Sequence, residues 1–384
     1  MSSKRIVNVG IIGCGLMGRE LASAAGRWCH LPGLDFVPRI TAVCDVNDAA
    51  AAWFSENVPD VELVTNDYKE LIGSDTVEAV YCAVPHNLHE RLYTDIIGAG
   101  KHLLGEKPFG IDMKACDAIM KAVAAGNVLV RCSSEFPFHP GSRMITGWVG
   151  EGRFGRIIEV EAGFWHSSDL DPDKAMNWKR MIDMNGEYGS MGDLGMHVVH
   201  MPFRFGWKPK NVRALLSNIM KERPNGKGGT VPCETWDNAI LACEASSPDG
   251  GEFPMILSTK RIAPGEGNTW FIRVMGTRMS AEFSTKNPKQ IRFLDYRPGG
   301  EQSWQELDLP HKPPYPSITG SIFEFGFSDG MLQMLAAFLD ELVHGKDMKQ
   351  PFRCATPEEA AESHRLFSAA LESNRTGRTI SLEP

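Results

Sequence analysis

Apolar positions change period along this chain, and the period predicts its elements. Residues 5–12, "RIVNVGII", are short, rich in β-branched residues and almost unbroken in apolar character, as expected of a parallel strand buried on both faces. In the following "LMGRELASAAGRW", Leu16, Met17, Leu21, Ala24 and Ala25 recur at helical spacing. The alternation continues. "RITAVCDV", "VELVT", "VEAVYCAVP", "KHLLGEKP" and "NVLVRCSS" read as strands, and "DAAAAWFSEN", "YKELIGS", "LHERLYTDIIGAG" and "DMKACDAIMKAVAA" read as the helices between them. Strands and helices in this rhythm predict a doubly wound parallel sheet, a Rossmann-type dinucleotide-binding domain over residues 1–135.

Beyond residue 135 strand-like segments outnumber helices. "RIIEVEAGFWHSS", "AILACEAS", "FPMILSTKRIA", "WFIRVMGTRMSAEFS" and "QIRFLDYRP" follow one another with short turns, which predicts a mostly antiparallel, open sheet. Residues 136–384 are therefore expected to form an α+β domain for substrate binding and oligomerisation. Its helices are expected around Leu194–Phe205, in "MLQMLAAFLDELVHG" and in "PEEAAESHRLFSAALESN", and "ERPNGKGGTVP" reads as an exposed loop.

With 384 residues and 42% hydrophobic content the chain can bury two cores. A net charge of -8, with no concentrated basic face, argues against nucleic acid as a partner. The 9 cysteines stand singly, without a C-x-x-C pair, a pattern suited to a reducing compartment. Lys4-Arg5 before an apolar run imitates a signal peptide, but the glycines begin inside that run, so it reads as a first strand. No apolar stretch approaches the roughly 20 residues that cross a bilayer. The expectation is a soluble, cytoplasmic protein without a membrane partner.

Chemistry enters at the strand ends. Gly13, Gly15 and Gly18 fall at a strand-to-helix turn, where they suit a tight turn, the close approach of a pyrophosphate, and helix–strand packing. Asp45, after the second strand, has the position and charge to accept hydrogen bonds from ribose hydroxyls and to repel a 2′-phosphate, favouring NAD over NADP. Pro108 disfavours a helical backbone at Lys107 and holds that lysine extended beyond the fifth strand. Asp193 and His197, one helical turn apart, place a carboxylate beside an imidazole, an arrangement that raises basicity and suits a proton acceptor. His200 lies on much the same face.

Four segments resemble one family. "YCAVPHNLHE", "AGKHLLGEKPFG", "EGRFGRI" and "GSMGDLGMHVVH" are similar, in this order, to the motifs of the Gfo/Idh/MocA oxidoreductases, named for glucose-fructose oxidoreductase, inositol dehydrogenase and a rhizopine-catabolism protein. Val84 stands where threonine is common and His86 where asparagine is common. The resemblance implies Lys107, Asp193 and His197 as catalytic residues, and no metal. It implies cofactor contacts from Gly13, Gly15, Leu16, Met17, Gly18 and Asp45 in the first strand–helix region. Val84, Pro85, His86, His89, Glu106 and Lys107 add contacts from later strand ends, and Trp178 adds one from "AMNWKR". A common Asn-x-Arg-Phe segment is replaced by "SSEFPFHP", so Glu135 and His139 are expected to face the substrate. Trp165, His166, Lys179 and the catalytic residues complete the expected substrate set.

The expected activity is NAD-dependent oxidation of a secondary hydroxyl of a sugar, polyol or sugar derivative. Two alternatives share these residues: an NAD-dependent glycoside hydrolase using transient oxidation, and a non-enzymatic dinucleotide-sensing regulator. An open sheet face also predicts a homo-oligomer, a dimer or tetramer.

Overall fold

A computed structural model of the protein describes residues 4–309, 313–320 and 322–382. It divides into two compact units.

The first unit is built on six parallel strands: β1 (Arg5–Ile12), β2 (Phe36–Cys44), β3 (Leu63–Thr65), β4 (Ala79–Cys82), β5 (His102–Gly105) and β6 (Val130–Cys132). They are connected through α1 (Leu16–Gly26), α2 (Asp48–Asn57), α3 (Tyr68–Gly73), α4 (His89–Gly98) and α5 (Met113–Ala125). The strand order β3-β2-β1-β4-β5-β6 reverses direction between β1 and β4, which opens a ligand crevice at their carboxyl ends. β4 is buried along its whole length, as a central parallel strand should be.

The second domain is not one continuous stretch. The helix Phe327–His344 packs in the first unit, where Met331, Leu335 and Phe338 share a core with Trp28, Phe36 and Tyr315. Ion pairs Arg27–Asp329 (2.6 Å) and Arg131–Glu341 (2.5 Å) hold it there, and Cys132 of β6 bridges Ala355. Gly330, Met331 and the ten residues after them are all buried, the mark of a helix packed on every side rather than laid across one sheet.

The second unit begins with α6 (Pro140–Gly150), β7 (Ile157–His166), α7 (Ile182–Asn185) and α8 (Ser190–Arg204). The strands β8 (Lys208–Pro209), β9 (Asn211–Ser217), β10 (Glu222–Pro224), β11 (Thr230–Pro232), β12 (Asn238–Ser246) and β13 (Glu252–Lys260) follow. They continue as β14 (Asn268–Gly276), β15 (Met279–Ser284), β16 (Gln290–Asp295), β17 (Gln305–Asp308) and β18 (Ile380–Ser381). The main sheet runs β17-β16-β15-β14-β7-β13-β12-β9-β18, with β8 beside β12, and is antiparallel except between β13 and β7. β12 shows why it is open: its burial alternates strictly, one face covered by α8 and the other leaving Ile240 and its neighbour Leu215 exposed.

"ERPNGKGGTVP" is more than a loop. β10 and β11 pair as a hairpin, anchored by Arg223, whose buried guanidinium donates to the carbonyls of Asp169, Asp171 and Lys174. The nine cysteines are unbridged thiols, Cys29 exposed and the others buried. Among the described residues no helix is long and apolar enough to cross a membrane.

Candidate functional site

In the first unit the site is made largely from backbone. Gly13 has φ +98°, and a Cβ there would lie 2.2 Å from the Ala83 carbonyl oxygen. A Cβ on Gly18 would lie 2.2 Å from the Gly13 carbonyl oxygen. Packing requires both. Gly15 differs: an added Cβ would meet nothing within 4 Å, so no protein atom explains the missing side chain. Gly15 caps α1 without a side-chain hydrogen bond, and the first turn carries no acidic residue. The leading N–H groups and the positive helix end are thus left for an anion, beside exposed Leu16 and half-buried Met17. The loop fits a dinucleotide pyrophosphate. Asp45 is tied to it, since its carboxylate accepts from the Cys14 N–H (2.7 Å) and the Asn47 N–H (2.8 Å).

Val84 and Pro85 lie half-buried after β4, with the His86 ring buried 5.5 Å from that of His89. His89 has another task than offering a ring nitrogen to a ligand. Its Nδ1 meets the Pro108 carbonyl at 2.6 Å and its Nε2 the Val84 carbonyl at 3.0 Å, while the ring stacks on Tyr93 at 4.7 Å. It braces the segments after β4 and β5. Burial pushes its imidazole down to about 4, against the pull of both carbonyls. Glu106 is buried, its carboxylate accepting from the Tyr81 hydroxyl and its carbonyl from the Tyr93 hydroxyl, each at 2.6 Å. The Lys107–Pro108 peptide is cis. Glu135, only 3% exposed, is pushed up to about 7 by burial and by the Glu106 charge, with Lys107 opposing.

The second unit holds its own cluster of candidate residues, made from side chains. The run Ser190–Pro202 of α8 is buried throughout, so Asp193 and His197 lie inside the unit rather than on a solvated helix face. Asp193 is 1% exposed and pairs with two cations: Arg261, through Nη1, and Lys179, whose Nζ donates to Oδ1 at 2.9 Å and to Oδ2 at 3.2 Å. His197 meets the edge of the Phe164 ring at 5.5 Å, and its carbonyl accepts from the Trp270 indole at 2.8 Å. His200 faces Arg204 at 3.3 Å, and burial, with the Arg204 and His197 charges, holds it well below the ordinary histidine range.

The remaining expected residues separate. His166 sits 4.6 Å from Phe164 and shares its face of β7 with α8. Trp165 points the opposite way by strand alternation: its indole donates to Ser258 Oγ at 2.8 Å, and Lys260 Nζ lies 4.1 Å over the ring, in a groove with Leu215 and Ile240. It does not belong with His197. Glu135 belongs to the first unit and His139 to the second, where His139 is buried at the start of α6, 6.2 Å from Phe283. Trp178 is half-buried, with Lys179 Nζ 5.6 Å over its ring.

Arg261 and Asp169 escaped the sequence reading. Arg261 is 5% exposed; its Nε donates to Asp169 Oδ2 at 2.9 Å, and Lys174 donates to Asp169 Oδ1 at 2.9 Å. Burial works against the Asp169 carboxylate, but Arg261 and Lys174 outweigh it and hold the group well below the usual carboxylate range. No periodicity links residues 169, 193 and 261, and Arg261 lies one residue past the end of β13, where strand alternation no longer assigns a face.

Residues 7–133 match the model of an oxidoreductase family with an NAD-binding Rossmann fold, GFO_IDH_MocA. The chain is 28% identical over 301 residues to levoglucosan dehydrogenase of Pseudarthrobacter phenanthrenivorans, covering 74% of this chain and 75% of that one. It is 23% identical over 390 residues to scyllo-inositol 2-dehydrogenase (NADP(+)) of Bacillus subtilis, covering 98% and 96%. Among solved structures it is similar in fold to a levoglucosan dehydrogenase in complex with NADH (TM-score 0.85, 20% identity, 99% and 100% covered). It is also similar to an inositol dehydrogenase homologue complexed with NAD+ from Azotobacter vinelandii (TM-score 0.79, 18% identity, 99% of each covered).

Proposed function

Because the chain belongs to the Gfo/Idh/MocA family of NAD-binding oxidoreductases, we propose that it oxidises a secondary hydroxyl of a sugar, cyclitol or related polyol. The observation that carries this reading is the buried α8 pair, a carboxylate and an imidazole one turn apart in the buried run Ser190–Pro202. Relatives named for levoglucosan and scyllo-inositol support the substrate class.

The Gly13–Gly18 turn and Asp45 would hold NAD, which when bound supplies the hydride acceptor. His197 takes the hydroxyl proton, and Asp193 orients the imidazole and favours its charged form. Lys107 is the candidate for stabilising the alkoxide charge that develops. The exposed sheet face around Leu215 and Ile240 is where a second copy of the chain would dock.

The test is a panel of levoglucosan, myo-inositol, scyllo-inositol and glucose with NAD, read by NADH absorbance. One member should give NADH in proportion to oxidised sugar. Release of aglycone from an aryl glycoside with trace NAD and no net NADH would replace this reading with a redox-neutral hydrolase. His197→Ala should lower kcat on the order of 10²–10⁴-fold with NAD affinity unchanged; a fully active variant would move the proton to another group.

A further inference from the structure

We propose that Arg261 is a positioning residue for the reaction: anchored on Asp169, its guanidinium orients the Asp193 carboxylate and balances its charge. This rests on the reading of Asp193 as the partner of His197.

The two cations on Asp193 differ in kind. The Lys179 side chain is 33% exposed and ends a flexible stem, so water competes for its ammonium. The Arg261 side chain is 6% exposed, and its planar fork spans two carboxylates at once, Nε on Asp169 and Nη1 on Asp193. Only a guanidinium makes both contacts from fixed geometry.

The anchor is itself rigid. Asp169 is fully buried, its second oxygen taken by Lys174 and its carbonyl by the buried guanidinium of Arg223. Arg223 also donates to the carbonyls of Asp171 (2.7 Å) and Lys174 (3.2 Å), which ties the segment after β7 to the β10–β11 hairpin. A chain of fixed donors thus runs from that segment through Arg261 to the first turn of α8. Without it, a carboxyl 1% exposed would gain by taking up a proton or turning toward Lys179. In either state it ceases to hold the His197 imidazole for proton transfer.

A double-mutant cycle on the full chain tests this, using NAD and whichever sugar of the panel gives the fastest NADH formation. Asp193→Asn should lower kcat about 100-fold. Arg261→Met should lower kcat to a similar extent, with KM and NAD affinity (by nucleotide fluorescence) within about twofold, because the variant disturbs orientation rather than binding. The combined variant should be no more than about threefold slower than the slower single one, since Arg261 acts through a carboxylate already gone. Multiplied losses, or wild-type kcat in Arg261→Met, would overturn the proposal while Asp193 keeps its role. Wild-type kcat in Asp193→Asn would overturn the reading of Asp193 as well. Where Arg261→Met fails to fold, Arg261→Lys decides: it keeps the charge but cannot bridge both carboxylates. It should lose at least about fivefold in kcat at unchanged KM, and retention of wild-type kcat would overturn the proposal.

Discussion

Glu135 in the first unit and Asp169 in the second are both buried, at 3% and 0% exposure, yet their surroundings drive them in opposite directions. Glu135 shares its neighbourhood with Glu106 and is driven toward the neutral acid at about 7. Asp169 sits on an arginine fork with a lysine on its other oxygen and stays ionised. Desolvation acts on both, and the neighbouring charges decide the outcome. The same contrast separates the two clusters of candidate residues: the glycine turn of the first unit presents backbone amides, whereas the α8 cluster of the second is held by ion pairs drawn from separate elements.

The largest expected break in this comparison comes from Asp169→Asn. It leaves the buried Arg261 with one fewer anion and should cost about 3 kcal/mol in urea unfolding at pH 7. Because the folded Asp169 is held below the ordinary 3.8, its contribution is complete above that value and is lost as pH falls through the folded one. The variant should therefore show a flatter acid limb of stability. A wild-type midpoint would mean that the fork is incidental.

Within the first unit, Gly18→Ala and Gly15→Ala should part company. The former drives a methyl into the Gly13 carbonyl and should lose about 1–3 kcal/mol of stability. The latter meets no protein atom, so urea stability should stay within about 0.5 kcal/mol while NAD affinity, by calorimetry, falls about tenfold. Equal loss of stability in both would make the loop a purely structural turn.

The smallest effect belongs to Glu135→Gln. Its folded value, about 7, lies above the ordinary 4.5, so wild-type stability should decline as pH rises between the two and then level off. The amide variant lacks this decline and should be more stable at pH 8, by less than the roughly 3 kcal/mol that the full difference corresponds to. Identical pH–stability curves would show that Glu135 stays ionised.

The same division explains what could be read in advance. The strand at Arg5–Ile12 and the helix at Asp48–Asn57 have the bounds expected from their periods, because local packing and an Asn47 cap determine them. Glycine spacing likewise marks the strand-to-helix turn, where Gly13 takes φ +98° and Gly15 caps α1. The sequence reading places the helix Phe327–His344 in the second domain, whereas it packs in the first unit, because its apolar residues declare burial but not against which sheet. Trp165 was grouped with His166 although strand alternation sends adjacent residues to opposite faces. The ion-paired heart of the second unit joins residues 92 and 68 positions apart in the chain, beyond the reach of any local pattern.

The tie between Asp45 and the Cys14 amide also bears on the re-engineering of cofactor preference. Replacing Asp45 to admit a 2′-phosphate would withdraw the acceptor from the Cys14 N–H of the glycine turn as well as the carboxylate proposed to meet the ribose. Val46, the next residue, is 90% exposed and carries no such duty. A guanidinium introduced there adds positive charge to offset the Asp45 carboxylate that opposes a 2′-phosphate while the turn stays intact, which makes Val46→Arg the first substitution to make and leaves Asp45 for a later round.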